Sequence, residues 1–136
     1  MPRSTRALIV ASALTAFAAG CDNPFTEAPL EFRFTGADIT AAPGTVVTLE
    51  VQLVANGRPR AGREIVFEAP DASHGAYVAV SPTNIERFAV FVRTTTNDRG
   101  RAFARVRLGI IPGRAAVIVS AEGAQDTAWY TVRAAP

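Results

Sequence analysis

Strict alternation of apolar and polar side chains dominates the chain from residue 30 onward and most constrains its fold. In the stretch TVVTLEVQLV, residues 45–54, Leu49, Val51 and Leu53 alternate with polar residues. A period of two places successive side chains on opposite faces of a β-strand, whereas an α-helix needs a period near 3.6. The stretch therefore predicts a strand with one buried and one solvated face.

About eight such strands are predicted between residues 30 and 133, with Gly, Pro, Asn and Asp between them. LEFRFTGADI, residues 30–39, and RFAVFVRT, residues 87–94, are each interpreted as one strand. Short strands at this spacing, without helical crossovers, favour one antiparallel β-sandwich over a parallel sheet. We expect a single all-β domain of about seven or eight strands, followed by a short tail at 134–136.

Two turns have specific residue requirements. Asn56 and Gly57 both tolerate a positive φ, which a tight hairpin turn needs. In TNDRG, residues 96–100, Gly100 is expected to take the left-handed conformation. Both sites therefore predict reversals between neighbouring strands.

The first 20 residues have the pattern of a secretory signal peptide. Arg3 and Arg6 precede an apolar stretch at residues 7–19. As a helix this stretch would extend about 20 Å, which is too short for a hydrocarbon core of about 30 Å. We therefore expect residues 1–20 to be removed after export.

The small residues that precede Cys21 resemble the cleavage site of bacterial lipoproteins. The resemblance implies cleavage between Gly20 and Cys21, lipidation of Cys21, and a short tether at residues 21–29. Because Cys21 is the only cysteine, no disulfide can form within the chain. We therefore expect attachment to a membrane through the lipid on Cys21, with the domain facing the periplasm or the exterior from the cell membrane or the outer membrane.

The net charge of +2 belongs to the precursor. Cleavage before Cys21 removes Arg3 and Arg6 and no acidic residue, which leaves equal numbers of basic and acidic residues. A balanced domain offers no general attraction for a polyanion, so we do not expect a nucleic-acid partner.

Two stretches resemble the bacterial immunoglobulin-like domain group 1 (Big-1), the repeat of intimins and invasins. VTLEVQLVANGRPRAGREIVFEA, residues 47–69, has an alternating strand, an Asn-Gly turn and a strand ending in Phe. TNDRGRAFARVRLGIIPGRAAVIVSAEG, residues 96–123, adds two Gly-containing turns and a Val-x-Val-Ser-Ala strand. The resemblance implies an immunoglobulin-like sandwich over residues 30–133 in a cell-envelope setting.

The sequence offers no residue set for catalysis, for a metal or for another cofactor. Asp71, Ser73 and His74 are too close along the chain to converge as a triad. The chain has one histidine, and Asn97 with Asp98 would supply too few oxygens for calcium. We therefore expect a protein that is not an enzyme.

The strand RAFARVRL, residues 101–108, predicts a candidate contact surface. Alternation places its apolar set toward the core and four other residues outward. We call the outward set the arginine face: Arg101, Phe103, Arg105 and Arg107.

Two interpretations of the arginine face remain open. Neighbouring acids such as Glu50, Glu64 or Glu68 could pair with the arginines and merely solvate the surface. Alternatively, the face binds an envelope protein or a polysaccharide, since arginine and aromatic residues are enriched at binding hot spots.

The function predicted from the sequence is that of a lipid-anchored, non-catalytic binding or structural module of the cell envelope. The alternative is a carbohydrate-binding module. For that role Tyr77, Trp129 and Tyr130 are the candidate rings, and a row of aromatic side chains on the surface is the feature that would favour it.

Overall fold

The computed structural model describes residues 29–70, 76–81 and 84–134, and for 77–81 and 84–87 it describes the backbone alone. Some predictions lie outside these residues: the signal peptide, the cleavage site at Gly20 and Cys21, the tether up to residue 28, the candidates Asp71, Ser73 and His74, and the last two residues of the tail. Within the described part, no helix is long and apolar enough to cross a membrane.

Strands make up the whole of the regular structure in the described residues. In chain order they are β1 Leu30–Thr35, β2 Ile39–Ala41, β3 Val46–Ala55, β4 Arg58–Pro59, β5 Glu64–Glu68, β6 Ala76–Ser81, β7 Asn84–Ala89, β8 Phe91–Thr95, β9 Arg101–Leu108, β10 Gly113–Ala121 and β11 Ala124–Val132.

The strands form two sheets that pack face to face. Sheet A has the order β1-β3-β9-β6-β7, with β4 added to β3, and sheet B has the order β2-β11-β10-β5-β8. All pairs are antiparallel except β2 with β11, which is parallel. The predicted immunoglobulin-like β-sandwich is confirmed, and the strand count exceeds the expected seven or eight because two predicted strands divide and β4 is an added short strand.

Both divided strands cross from one sheet to the other. Residues 30–39 leave sheet A after β1 and join sheet B as β2, and Gly36 and Asp38 have φ of 86° and 58° at the crossing. Residues 87–94 pass from β7 to β8 at Val90, whose carbonyl accepts a hydrogen bond from the Ala69 N–H at 2.8 Å. The two sheets are thus linked by continuous chain at both edges.

The core lies between the sheets and contains the alternating residues that the sequence predicted. In β3, Leu49, Val51 and Leu53 are fully buried. In β9 the buried set is Ala102, Ala104, Val106 and Leu108. Sheet B contributes Ile65, Phe67, Val117, Val119 and Tyr130 among others.

The two ends of the sandwich are distinct. At one end β1 begins opposite Ala55, beside the turns at Asn56–Gly57, Asn97–Gly100 and Glu122–Gly123; we call this the near end. At the other end lie the loops 42–45 and 109–112 together with Arg133, whose N–H donates to the Ala41 carbonyl at 2.9 Å; we call this the far end. Chain entering from residue 28 therefore meets the near end.

The turn predictions are confirmed at the near end. Asn56 and Gly57 have φ of 55° and 73°, the two positive values of a type I′ hairpin turn. Gly100 has φ 73°. Its N–H donates to the Asn97 carbonyl at 2.9 Å, which closes the turn before β9.

Candidate functional site

The arginine face lies on the outer surface of sheet A. Strand β9 is in the middle of this sheet, between β3 and β6, so both of its flanks are covered by hydrogen-bonded neighbours. Its other face is buried, which leaves Arg101, Phe103, Arg105 and Arg107 directed outward as the sequence predicted.

Arg101 is the member of the face with a carboxylate partner. Its Nε lies 3.5 Å from Oε1 of Glu50, which is an ion-pair distance and too long for a hydrogen bond. Both side chains are partly exposed, and such pairs contribute about 0–1 kcal/mol to folding. A shallow depression of about 360 Å³ borders Arg101 and Phe103 and extends to the turn 97–99.

Arg105 is held by a neutral partner. Its Nη1 donates a hydrogen bond to Oγ1 of Thr48 on β3 at 2.9 Å. Its Nε is buried and has no hydrogen-bond partner among the described residues. This contact orients the guanidinium without neutralising its charge.

Arg107 stacks on an aromatic ring. Its guanidinium carbon lies 4.2 Å from the centroid of the Phe88 ring on β7. Cation–π contacts of this kind are favourable but leave the cation charged. Arg107 is also the most exposed of the three arginines of the face.

Of the three acidic residues expected to pair with this face, one does so and two do not. Glu50 lies on β3 and pairs with Arg101. Glu64 and Glu68 lie on β5, which belongs to sheet B, so they cannot reach β9 on the outer surface of sheet A. Among the described side chains, no carboxylate lies within salt-bridge distance of Arg105 or Arg107.

Trp129 and Tyr130 lie on opposite faces of β11, as expected for neighbours on a strand. Trp129 is 39% exposed on the outer surface of sheet B, and the guanidinium carbon of Arg114 lies 4.2 Å from the centroid of its ring. Tyr130 is only 1% exposed, and burial, with a smaller contribution from the charge of Asp38, raises the pKa of its hydroxyl.

The near-end turns use their polar groups internally. The Asn97 Oδ1 accepts hydrogen bonds from the Arg99 and Arg101 N–H groups at 2.9 and 3.1 Å. Arg63 forms an ion pair with Glu122 beside a depression of about 490 Å³. Among the described residues, no group of three or more His, Cys, Asp or Glu side chains is arranged to hold a metal ion.

Two features of the structure were not predicted from the sequence: the stacks of arginines on aromatic rings and the exposed isoleucines of one loop. The stacks of Arg107 on Phe88 and of Arg114 on Trp129 each join residues of different strands. The loop 109–112, interpreted only as a turn, presents Ile110 and Ile111 to solvent.

Three solved structures resemble this fold at low sequence identity. The D00–D0 domain of intimin is 18% identical with a TM-score of 0.52, and the match covers 80% of this chain and 51% of that one. The Yersinia pseudotuberculosis adhesin InvE is 15% identical with a TM-score of 0.56, covering 77% and 32%. A β-glycosidase from Bacteroides vulgatus is 14% identical with a TM-score of 0.56, covering 79% and 14%.

These similarities concern the fold alone. The chain spans about half or less of the length of each of the three structures, which therefore contain parts that have no counterpart in the match. No protein-family model and no curated protein sequence matches the chain. Immunoglobulin-like domains of intimin and of an invasin-type adhesin are nonetheless among its structural neighbours.

Proposed function

We propose that this protein is a lipid-anchored, non-catalytic module of the bacterial cell envelope, of the Big-1 type, which contacts another envelope component through its arginine face. The observation that carries the proposal is the state of Arg105 and Arg107. Both guanidiniums are fixed by neutral groups, at 2.9 Å from Thr48 and 4.2 Å from the Phe88 ring, and no described carboxylate neutralises their charges.

Preorganised arginines are suited to binding. A side chain already held in one rotamer loses less conformational entropy when a partner pairs with it. Phe103 adds apolar surface between Arg101 and Arg105 on the same face. Arginine and aromatic residues together form the usual composition of binding hot spots.

The envelope setting has independent support. The residues before Cys21 resemble a lipoprotein cleavage site. Proteins with a similar fold include intimin and the adhesin InvE. A tether that begins at Cys21 would keep the domain close to the membrane and leave the outer surface of sheet A accessible.

The carbohydrate-binding alternative has weaker support. Trp129 is exposed on sheet B, but Arg114 occupies one side of its ring, where a sugar would stack. Tyr130 is buried and cannot contribute. Among the candidate rings whose side chains the structure describes, Trp129 alone is exposed, and with one side covered it offers little stacking surface for a glycan.

The anchor is tested by cell fractionation and by labelling with palmitate. We expect the parent protein to take up label and to sediment with membranes. Cys21→Ser should take up none and should leave the membrane fraction. A Cys21→Ser protein that stays in the membrane pellet, beside a parent that takes up no label, would contradict lipidation.

The contact is tested by pull-down from detergent-solubilised envelope. Arg101, Arg105 and Arg107 are changed together to Glu, and the matched control changes the exposed Arg58, Arg93 and Arg99 to Glu. We expect the first variant to lose its partners while its melting temperature stays near that of the control. Equal retention of partners by both variants would show that the arginine face is only a solvated surface.

A further inference from the structure

Two isoleucines at the far end are unusually exposed. Ile110 is 80% exposed and Ile111 46%, and both lie in the loop that joins β9 to β10. We call this pair the isoleucine tip. Isolated apolar residues are common on surfaces, but two adjacent large ones at the apex of a loop form an apolar projection that points into water.

The base of this loop is fixed, so the isoleucine tip does not fold back onto the core. The Gly44 N–H donates to the carbonyls of Leu108 at 2.9 Å and Gly109 at 3.2 Å, and the Leu108 N–H donates to the Thr45 carbonyl at 2.8 Å. Pro112 follows the tip and restricts the backbone further. The fold therefore holds the two side chains outward.

Exposed arginines surround the isoleucine tip. Arg107 lies one residue before the end of β9, Arg114 is the second residue of β10, and Arg133 follows β11. Arg107 stacks on Phe88 and Arg114 on Trp129, so the stacks flank the tip on the two opposite surfaces of the sandwich. Three described segments at this end, 41–46, 107–114 and 132–134, contain no Asp or Glu.

We propose that the far end docks on an anionic lipid bilayer, with the isoleucine tip in the interfacial region and Arg107, Arg114 and Arg133 on the headgroup phosphates. The order of groups along the domain matches the polarity gradient of a bilayer surface. Apolar side chains come first, then guanidiniums and the half-exposed Trp129, a type of residue that is enriched at membrane interfaces. The surplus of cationic charge among the described residues at this end complements an anionic headgroup layer.

The geometry is compatible with attachment through Cys21 to the same surface. Nine tether residues extend at most about 30 Å. The sandwich has a similar length, since nine residues of a strand such as β10 extend about 30 Å. An extended tether could therefore lie along the domain and bring both Cys21 and the far end to one bilayer. The docking itself does not depend on the lipid anchor.

The test uses the purified chain from residue 22, which carries no lipid. The buried core residues that the structure describes run from Ala41 to Val132, so this chain keeps all of them. It is floated with vesicles of phosphatidylcholine alone and of phosphatidylcholine mixed with phosphatidylglycerol. We expect co-flotation with the anionic vesicles, weaker binding at higher salt, and little binding to the neutral ones.

Variants locate the contact. Changing Ile110 and Ile111 to Ser should lower the partition coefficient at least tenfold, and changing Arg114 and Arg133 to Gln should lower it about 25-fold, since each arginine near such a surface contributes about fivefold. The matched control changes Arg58 and Arg99, at the near end, to Gln and should bind as the parent does. Arg107 stays unchanged because it also belongs to the arginine face, which keeps this test separate from the pull-down.

Three results would overturn the proposal. The first is the absence of binding to anionic vesicles. The second is an equal loss of binding in the near-end control, which would indicate a general charge effect. The third is a parent chain that sediments as a dimer and becomes monomeric when the tip is changed to Ser, without vesicle binding, which would assign the tip to a contact between copies of this chain.

Discussion

At the near end of the sandwich a buried side chain bonds to two turns, whereas the far end is closed mainly by backbone contacts and projects apolar side chains. At the near end the buried Thr96 hydroxyl donates to the Arg60 carbonyl at 2.6 Å and accepts from the Arg63 N–H at 2.9 Å. At the far end the buried Tyr130 hydroxyl has no partner among the described residues. One buried hydroxyl thus both donates and accepts a hydrogen bond, whereas the other does neither with any described group.

This difference indicates which loops the fold holds in one position and which loops can vary. Buried polar groups that bond to backbone fix the relative position of two turns, because any shift leaves a group unpaired. At the far end, the Thr45 hydroxyl donates to the Ala42 carbonyl at 2.7 Å within one loop, and among the described residues no side-chain hydrogen bond links two loops. These loops can therefore vary without loss of the core. Loops of this kind are where proteins usually place contacts with partners.

The largest expected effect on stability comes from a glycine at the near end. Comparing it with a second glycine separates the strain of the backbone conformation from the lack of space for a side chain. Gly57 and Gly100 both have φ 73°. A Cβ at Gly100 would lie 2.8 Å from the Arg60 nitrogen and 2.9 Å from the Leu53 oxygen, both backbone atoms, whereas a Cβ at Gly57 meets nothing within 4 Å. We expect Gly100→Ala to lower the free energy of unfolding by about 3–5 kcal/mol and Gly57→Ala by about 1–2 kcal/mol.

Urea denaturation of both variants measures this difference. Because the two glycines share one φ, the common loss reports conformational strain and the excess at Gly100 reports the lack of space. Equal losses would mean that the β4 turn moves away from Gly100 at little cost, and the near end would then be less rigid than its contacts indicate.

A smaller effect is expected from the buried hydroxyl at the near end. Thr96→Val keeps the shape of the side chain but leaves the Arg60 carbonyl and the Arg63 N–H without this partner, which should cost about 1–3 kcal/mol. Thr96→Ser is the matched control, since it keeps both hydrogen bonds and removes one methyl group. If Val is as stable as Ser in thermal unfolding, the hydroxyl does not hold the two turns together.

The sequence was sufficient to predict the faces of single strands. The alternation in β9 correctly assigned Ala102, Ala104 and Val106 to the core, because a half-buried strand has one apolar face whichever sheet contains it. The Asn56–Gly57 turn was predicted for a similar reason, since its positive φ values are a local requirement. The fold class followed from these local features together with the spacing of the turns.

The sequence was not sufficient to assign strands to sheets. Residues 30–39 keep a period of two on both sides of the crossing, so the pattern carries no sign that β2 belongs to sheet B. For the same reason Glu64 and Glu68 were expected beside β9 although β5 lies in the other sheet. Alternation determines the face of a residue but not its neighbours.

Contacts across strands depend on register and were therefore missed. Trp129 lies opposite Ala116, which makes Arg114 its diagonal neighbour on β10 and allows the stack at 4.2 Å. The exposure of Ile110 was also hidden, because an isoleucine in a sequence normally indicates burial. Both features of the far end required the assembled sheets.

The smallest expected effect at neutral pH concerns the buried hydroxyl at the far end. Tyr130→Phe removes a hydroxyl that has no partner among the described residues, so no hydrogen bond to a described group is lost. We expect the free energy of unfolding at pH 7 to stay within about 0.5 kcal/mol of the parent or to rise slightly. A loss above about 1 kcal/mol would contradict the contrast with Thr96, since it would show that this hydroxyl is bonded too.

The effect of Tyr130→Phe should grow at alkaline pH. Burial, and to a smaller extent the charge of Asp38, raises the pKa of Tyr130 in the folded protein above its ordinary value near 10. Above pH 10 the unfolded chain therefore loses this proton first and binds fewer protons than the folded one, so the parent loses stability by up to about 1.4 kcal/mol per pH unit. Below pH 10 the tyrosine is protonated in both states and contributes no slope. The variant lacks this group, and Tyr77 is present in both proteins, so the difference in urea midpoint between variant and parent should be flat up to pH 10 and widen in favour of Phe above it. A difference that stays flat to pH 11 would mean that the Tyr130 hydroxyl ionises within the folded protein. Water would then reach this hydroxyl, unlike the buried and hydrogen-bonded hydroxyl of Thr96.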